Sequence, residues 1–371
     1  MKRSAKAVVA RTLAGPLSVE SIWVDPPQRN EVTIRIAACG VCHSDLSALN
    51  GTIPFNLPLV LGHEAAGTVV QVGEGVTEFT LGERVISSFV SMCGHCRYCS
   101  TGRPQLCDQA SKAAATLPDG TVRTFDASGA PLAVFSGCGV MAEFATLNVG
   151  NVVKAAPDIE LDCCALISCG VMTGVGAVIN TAQLTAGSIA IVFGAGGVGL
   201  NAIQGCAIAG AAMIVAVDRI DSKLELARLF GATHTVNASG DDNLVKTLKK
   251  LTGGGADYAF ECVGSGAVVA QAYGALRKGG TAVVVGVAGM KDQTSIRTAS
   301  LTFEEKTLKG SYFGGARPRE DFPRLMALYR SGRLKLKELI THRYAVEQAQ
   351  QAFDDLSSGR NARGMIMFDQ V

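Results

Sequence analysis

The rhythm of apolar and polar positions changes once, decisively, along this chain. Through residues 5–38 the apolar side chains come in short runs, A-K-A-V-V-A and V-T-I-R-I-A-A, parted by the turn-rich D-P-P-Q-R-N around Asp25-Pro26-Pro27. Alternation of this kind suits half-buried strands, and the proline pair punctuates them. A-A-G-T-V-V-Q-V-G and G-E-R-V-I-S-S repeat the pattern, set off by Gly73, Gly75 and Gly82, and M-A-E-F-A-T-L and G-N-V-V-K-A return to it. Many short strands with glycine turns predict an irregular, β-rich N-terminal unit. Between them, residues 108–135 are polar and glycine-rich, with Asp119-Gly120 and Ser128-Gly129 as hairpin-turn candidates. That excursion shows no evident chemistry.

At Ser188 the rhythm switches. I-A-I-V-F is an unbroken apolar run, suited to a strand buried on both faces of a parallel sheet. It runs into Gly194-Ala195-Gly196-Gly197-Val198-Gly199 and the helical stretch L-N-A-I-Q-G-C-A-I-A-G-A. A second strand, A-M-I-V-A-V, ends in Asp218, about twenty residues past the loop, which is the order of a dinucleotide-binding unit. Glycines let the backbone approach a pyrophosphate, the helix N-terminus favours its charge, and the acid accepts from ribose hydroxyls. A carboxylate at Asp218 repels a 2′-phosphate and so favours NAD, while Arg219 weighs the other way. D-S-K-L-E-L-A-R-L-F-G-A, A-D-Y-A-F-E-C-V-G, V-V-A-Q-A-Y-G-A-L and T-A-V-V-V-G-V-A-G keep alternating. They predict roughly four to six parallel strands with crossover helices, a doubly wound Rossmann sheet over residues 171–311. P-R-L-M-A-L-Y-R-S-G and V-E-Q-A-Q-Q-A-F-D-D-L read as helices of a closing segment, 312–371, that rejoins the first domain, 1–170.

Composition narrows the class. The 371 residues are 48% hydrophobic and 18% charged with a net charge of +2, which gives no bias toward nucleic acid or any other polyanion. The beginning, M-K-R-S-A-K-A-V-V-A, has no apolar signal core, and no uncharged apolar run reaches the length of a membrane span. The nearest, Ile189 to Val217, is broken by glycines. Twelve cysteines without a secretion signal point to reduced thiols, to metal binding, and to a cytoplasmic protein.

Those thiols are grouped. C-G-V-C-H-S-D followed by L-G-H-E offers Cys42, Ser44, Asp45, His63 and Glu64. A thiolate and an imidazole are good zinc ligands, and a catalytic zinc takes three protein ligands and keeps an open position. Cys169, before a glycine-rich turn, is the candidate third ligand, with Cys163, Cys164 and Cys138 as competitors on spacing alone. Cys93, Cys96, Cys99 and Cys107 are spaced to surround a second metal with four thiolates, the pattern of a structural zinc. His95, inside that cluster, reads as a solvated loop residue.

G-V-C-H-S-D, L-G-H-E-A-A-G, the four-cysteine lobe, S-C-G-V-M-T-G and F-G-A-G-G-V-G, in this order, resemble the medium-chain zinc-dependent alcohol dehydrogenases over nearly the whole chain. The resemblance implies an α/β protein with an irregular β-rich GroES-like catalytic domain, its zinc lobe at 93–107, and a Rossmann NAD-binding domain. It implies Cys42, His63 and Cys169 on a catalytic zinc, and Cys93, Cys96, Cys99 and Cys107 on a structural one. Asp45 would fix the tautomer of His63, Glu64 would lie beside the metal, and Ser44 would take the alcohol's proton. His43 and Arg363 would meet the cofactor's pyrophosphate, and Lys223 its adenosine ribose. Phe89, Phe135 and Val287 fall at pocket-lining positions, although burial in an ordinary core is what such residues usually do. One position departs from the family: Ser47 stands where many members have a relay histidine, so the proton is expected to leave through ribose hydroxyls.

The activity so implied is reversible hydride transfer between a primary or aromatic alcohol and NAD, giving the aldehyde. F-G-G-A-R-P-R-E-D-F-P-R-L and N-T-A-Q-L-T-A-G resemble the nicotinoprotein branch, which keeps its NAD bound and uses an external electron acceptor. His43 fits a thiol-dependent formaldehyde dehydrogenase, for which no basic pocket is evident. A non-catalytic zinc- or dinucleotide-binding relative is the rival of another class, disfavoured because the three ligands and Ser44 are all present. Small alcohols and aldehydes are the expected partners, with no nucleic acid and no membrane. The long 108–135 excursion resembles the dimeric branches more than the tetrameric ones.

Overall fold

The computed structural model describes residues 1–112 and 114–368, so residue 113 of the excursion and 369–371 of the closing segment lie outside the described residues. The chain divides into two compact units. One comprises Met1–Cys169, Arg317–Ser331 and Leu336–Val371, the other Gly170–Ala316 and Gly332–Lys335.

The first unit is built on a ten-residue strand, Glu31–Gly40. Val32, Ile34 and Ile36 on it are at most 1% exposed, and each such burial stabilises by about 1.5–3 kcal/mol. Ala65–Val72 pairs with this strand antiparallel along nearly its whole length, from Val32↔Val72 to Cys39↔Ala65. On its other side Phe144–Asn148 covers residues 31–35 and Arg363–Met367 covers residues 38–40. Arg84–Ser87, Val152–Lys154 and Ile340–Ala345 complete a seven-stranded sheet. A second sheet of five strands centres on the antiparallel pair Arg3–Ala10 and Leu17–Val24. The short strands anticipated from glycine punctuation are therefore present.

The 108–135 excursion is more than a surface loop. Its turns are closed by Asp119 and Asp126, whose carboxylates accept from Thr121 and Ser128. Its Arg123, 4% exposed, reaches into the unit and donates to both oxygens of Glu31, at 2.9 and 2.7 Å. Glu31 is 3% exposed, and its other partner is the Gln28 N–H at 2.8 Å. This pair anchors the excursion at the start of the central strand.

The second unit is a six-stranded parallel sheet in the order His234–Asn237, Met213–Asp218, Ile189–Phe193, Ala256–Glu261, Leu276–Val284, Thr307–Gly310. The chain enters at Ile189–Phe193, winds outward twice, then crosses back to Ala256–Glu261, so the order reverses between those two strands. Ala190, Ile191 and Val192 are fully buried, as a strand covered on both faces must be. The helix Gly197–Ile208 follows at once. A Cβ at Gly199 would lie 1.7 Å from the Gly194 carbonyl oxygen, so only glycine lets this helix start so close to its strand.

One sequence expectation needs correction. The stretch nearest to a membrane span is not Ile189 to Val217 but Leu161–Ala182, a 22-residue helical run that meets the length and apolarity of a spanning helix. Its most apolar window is 83% buried inside the protein, as in a core helix. The sheet strands interrupt the other stretch, and a strand cannot satisfy its backbone alone in lipid.

Arg123→Met would leave the Glu31 carboxylate buried without its cation, at an expected cost of about 3–5 kcal/mol. Denaturant unfolding measures it; the double variant with Glu31→Gln should recover most of the loss, and an unchanged midpoint in the single variant would remove the anchor role.

Candidate active site

Cys42 and His63 are 21 residues apart in sequence, and the strand register brings them together. The pairing Cys39↔Ala65 places the chain leaving one strand beside the chain entering the other, and Gly40 N–H donates to the Glu64 carbonyl at 2.7 Å. A Cβ at Gly40 would lie 2.7 Å from Glu64 Cδ, which explains the glycine before the ligand pair. Cys42 then precedes the short helix His43–Leu49, whose first turn carries Asp45. Asp45 is fully buried; one oxygen accepts from Gly62 N–H at 2.8 Å, and the other lies 3.2 Å from His63 Nδ1, at ion-pair distance but off the ideal hydrogen-bond direction. Asp45 favours a proton on Nδ1, which would leave Nε2 to give its lone pair to a metal.

That nitrogen lies 3.3 Å from Cys169 Sγ. Cys169 comes from the π-helical segment Ile167–Val171, a widened turn of the kind that often marks functional positions. The ligand atoms of Cys42, His63, Glu64 and Cys169 all lie within 4.8 Å of one another and all four residues are buried. Of the competitors, Cys138 donates to Ser88 O and Cys164 to Ile159 O, away from this cluster. Burial pushes the thiols of Cys138, Cys163 and Cys164 each up to about 12, and none of the three joins the group of ligand atoms that converge.

The electrostatics of the cluster favour one thiolate. The Cys42 thiol is drawn well below its ordinary value by the hydrogen bond from Cys169, then by His63 and the charge of Arg363. Cys169 is raised by the same bond and by burial. Burial alone would lower His63, but the charge and proximity of Asp45 outweigh it and raise the ring. Glu64 is pushed up to about 7 by burial, against the pull of Arg363. Arg363, 4% exposed, bonds Glu64 directly. Two sulfurs and an imidazole nitrogen in a dry site are a donor set that fits zinc.

Around this cluster Ser44 Oγ lies 3.8 Å from Cys42 Sγ, and His43 is exposed. The rings of Phe89 and Phe135 meet His63 edge-on at 5.5 and 5.2 Å. Phe55, which sequence reasoning missed, tilts against Phe135 at 4.7 Å. The contact between Arg363 and Glu64 was missed too: it spans 299 residues, and no local pattern signals it.

The four-cysteine lobe gathers as its spacing implied. Sγ atoms of Cys93 and Cys99 are 4.0 Å apart, those of Cys96 and Cys107 3.9 Å, and all four fall within 4.8 Å of one another. Main-chain N–H groups of Cys93, Cys96 and Cys99 point at Cys107, Cys93 and Cys96 sulfurs, respectively. The amides of Cys99 and Asp108 draw the Cys96 thiol down to about 6, whereas burial pushes Cys99 up to about 12 and raises Cys107, so the lobe also favours one thiolate.

In the second unit, Gly196 caps the helix Gly197–Ile208 and the loop Gly194–Gly199 stands at the carboxyl end of its strand. Asp218 Oδ2 accepts from Ala195 N at 2.7 Å, and Oδ1 from Arg219 and Ile220 N. A lone pair remains on Oδ2 for a further donor. Lys223 is half-buried in the first turn of Asp221–Leu229, and Val287 is 58% exposed, so it is no core residue, unlike Phe135 at 2%.

Comparison with known proteins agrees with both units. Residues 28–158 match the alcohol dehydrogenase GroES-like domain and residues 197–331 the zinc-binding dehydrogenase family. The chain belongs to the medium-chain zinc-dependent alcohol dehydrogenases. It is 40% identical to the NDMA-dependent alcohol dehydrogenase of Amycolatopsis methanolica over 98% of each chain. Among solved structures, an alcohol dehydrogenase zinc-binding domain protein from Burkholderia ambifaria is 35% identical with a TM-score of 0.95, covering 100% of both chains. Benzyl alcohol dehydrogenase from Acinetobacter calcoaceticus is 30% identical with a TM-score of 0.93, covering 99% of this chain and 100% of that one. Like its family, this dehydrogenase acts on CH–OH donors, with zinc and NAD as cofactors.

Metal analysis separates the two sulfur clusters. Cys169→Ala is expected to lose about one zinc per chain with little change in thermal midpoint. Cys96→Ala should lose about one zinc and lower the midpoint by roughly 5–10 °C, since a four-thiolate site contributes folding energy. Full zinc in Cys169→Ala would take that residue out of the site.

Proposed function

We propose that this dehydrogenase carries out reversible hydride transfer between a primary or aromatic alcohol and NAD, with the catalytic roles divided among the residues of the buried cluster. The observation that carries the reading is the convergence of Cys42, Cys169 and His63 Nε2 beside the Ser44 hydroxyl. Zinc bound there would supply a Lewis acid that lowers the pKa of an alcohol hydroxyl toward neutrality, and NAD would supply the hydride acceptor. Cys42, Cys169 and His63 would hold the metal. Asp45 keeps the His63 proton on Nδ1, so that Nε2 stays available. Ser44 would take the alcohol's proton; Ser47, a hydroxyl, is no base near neutrality and would not serve as its acceptor.

Arg363 holds the Glu64 carboxylate in place and brings positive charge suited to a pyrophosphate, while exposed His43 offers a second donor. Phe89 and Phe135 meet the His63 ring and Phe55 packs against Phe135, an aromatic surrounding that favours benzylic and other apolar primary alcohols. The likeness to a benzyl alcohol dehydrogenase supports the same substrate class. In the second unit Gly194, Gly196, Gly197, Val198 and Gly199 would present backbone to the pyrophosphate. Asp218 and Lys223 would flank the adenosine ribose, and exposed Val287 is free to contact the nicotinamide.

A second reading has its own support. The Amycolatopsis relative is named for its dependence on NDMA. In this reading NAD stays bound and electrons leave to an external acceptor. We also read the protein as cytoplasmic, since all twelve cysteines are free thiols. It is further read as a homodimer. The strand Thr307–Gly310 ends the parallel sheet with one side unpaired, and Phe303 beside it is 82% exposed. A second copy related by a two-fold axis would cover both.

Extensively desalted enzyme, assayed on primary, secondary and benzylic alcohols, decides between the two cofactor modes. NADH formed only with added NAD is expected for the first reading; turnover with an artificial acceptor and no added NAD establishes the second. Silence in both with zinc present would overturn the catalytic assignment. For assembly, light scattering should give a dimer that Phe303→Asp weakens at least tenfold, a cost of about 1.4 kcal/mol; a monomeric wild type would sink the proposal.

A further inference from the structure

Glu261 takes no part in the chemistry above, yet it is a buried carboxyl at the point where the strand order of the parallel sheet reverses. It ends the strand Ala256–Glu261 and stands opposite Phe193, the residue before Gly194. Open parallel sheets bind their ligands outside the carboxyl ends of the strands at this switch point.

The side chain is 1% exposed. Its Oε1 accepts from Val263 N–H at 2.8 Å and Gly264 N–H at 2.7 Å, while Oε2 is buried without a partner. Its main-chain carbonyl accepts from Val285 and Gly286 N–H at 2.8 and 2.9 Å. One residue thus ties three segments: Phe193 through the ladder, the 262–264 turn through its carboxyl, and residues 285–286 through its carbonyl.

The turn so held has no room to shift. Cys262 N–H donates to the Phe193 carbonyl at 2.9 Å. A Cβ at Gly194 would lie 2.8 Å from Val263 Cγ2, and one at Gly286 would lie 2.2 Å from Gly264 N. The 262–264 turn is therefore wedged between the first glycine of the 194–199 loop and the 286–287 backbone. Burial pushes the Glu261 carboxyl up from its ordinary value, against the pull of the amides of Gly264 and Val263. A leucine would fill so dry a place without an orphaned oxygen. Only an acceptor can take two successive N–H groups and close the turn.

We propose that Glu261 is a positioning residue for the dinucleotide: its Oε1 holds the 262–264 turn against Gly194 and so sets the backbone that receives the cofactor. This rests on the reading that the 194–199 loop binds NAD. The turn needs an acceptor, not a charge. Glutamine therefore satisfies it, alanine leaves two N–H groups unpaired, and aspartate is one methylene too short.

The test is NADH fluorescence titration of the zinc-loaded wild type, Glu261→Gln, Glu261→Ala and Glu261→Asp, with thermal midpoints and NAD and alcohol kinetics in parallel. If NAD survives purification, nucleotide content per chain after dialysis replaces the titration. Glutamine should keep Kd within about threefold, and alanine and aspartate should raise it roughly 10–100-fold, the fold-change of a lost pair of buried hydrogen bonds. KM for NAD should rise with Kd in both, while kcat stays within about threefold. Glutamine as weak as alanine would overturn the proposal, as would an alanine or aspartate variant that folds and binds like wild type. Should alanine fail to fold, the glutamine–aspartate contrast decides. A wild type that neither binds NADH nor retains NAD would instead refute the loop reading, and the proposal with it.

Discussion

The antiparallel register of Glu31–Gly40 with Ala65–Val72 is the constraint on which the candidate catalytic cluster depends. Because Cys39 stands opposite Ala65, Cys42 and His63 emerge from the same end of the same ladder. The other flank of Glu31–Gly40 pairs Gly40 with Met365, and Val41 N–H donates to the Gly364 carbonyl at 2.9 Å. That pairing delivers Arg363 to the same end, where it meets Glu64. A slip of one residue would turn every side chain of the strand to the opposite face. It would take Val32, Ile34 and Ile36 out of their core cluster and put Thr33, Arg35 and Ala37 in their place, so the hydrophobic core enforces the register and the register assembles the site. At the strand's far end, the Arg123–Glu31 pair keeps the excursion fastened to the same ladder.

Burial then gives the cluster its chemistry. Thiols in an apolar surrounding stay protonated, as at Cys138 and Cys206. Cys42 escapes that fate because Cys169, His63 and Arg363 surround it. Asp45 supplies the complementary arrangement on the far side of the imidazole. The four-cysteine lobe reaches a similar end with different means, using main-chain amides in place of charged neighbours. In the second unit a carboxyl again works through backbone: Glu261 organises a turn against the glycine loop.

How much of this could be read along the chain depends on sequence separation. Strand, glycine loop, helix and acid follow one another between Ile189 and Asp218, and Cys93 to Cys107 form a compact lobe, so local chemistry names both. Cys169 is 106 residues from His63 and shares no repeat with it. Spacing alone left it level with Cys138, Cys163 and Cys164; the family resemblance singled it out, and the fold turns the other three elsewhere. The Arg123–Glu31 pair, 92 residues apart, gave no sign in a stretch read as a plain polar excursion.

The sequence by itself determined the periodicities, the two consecutive motifs and the family, because each rests on neighbours that interact over a few residues. Hydrophobic alternation sets which strand faces are buried, and glycines mark where backbone must pass close to backbone. Tertiary structure alone decided which distant groups share a dry space: the polar pairs Arg363 with Glu64 and Arg123 with Glu31, and the aromatic pair Phe55 with Phe135. A buried polar group finds its partner wherever packing brings one within reach, and that choice is made by the register of the sheets, not by spacing along the chain.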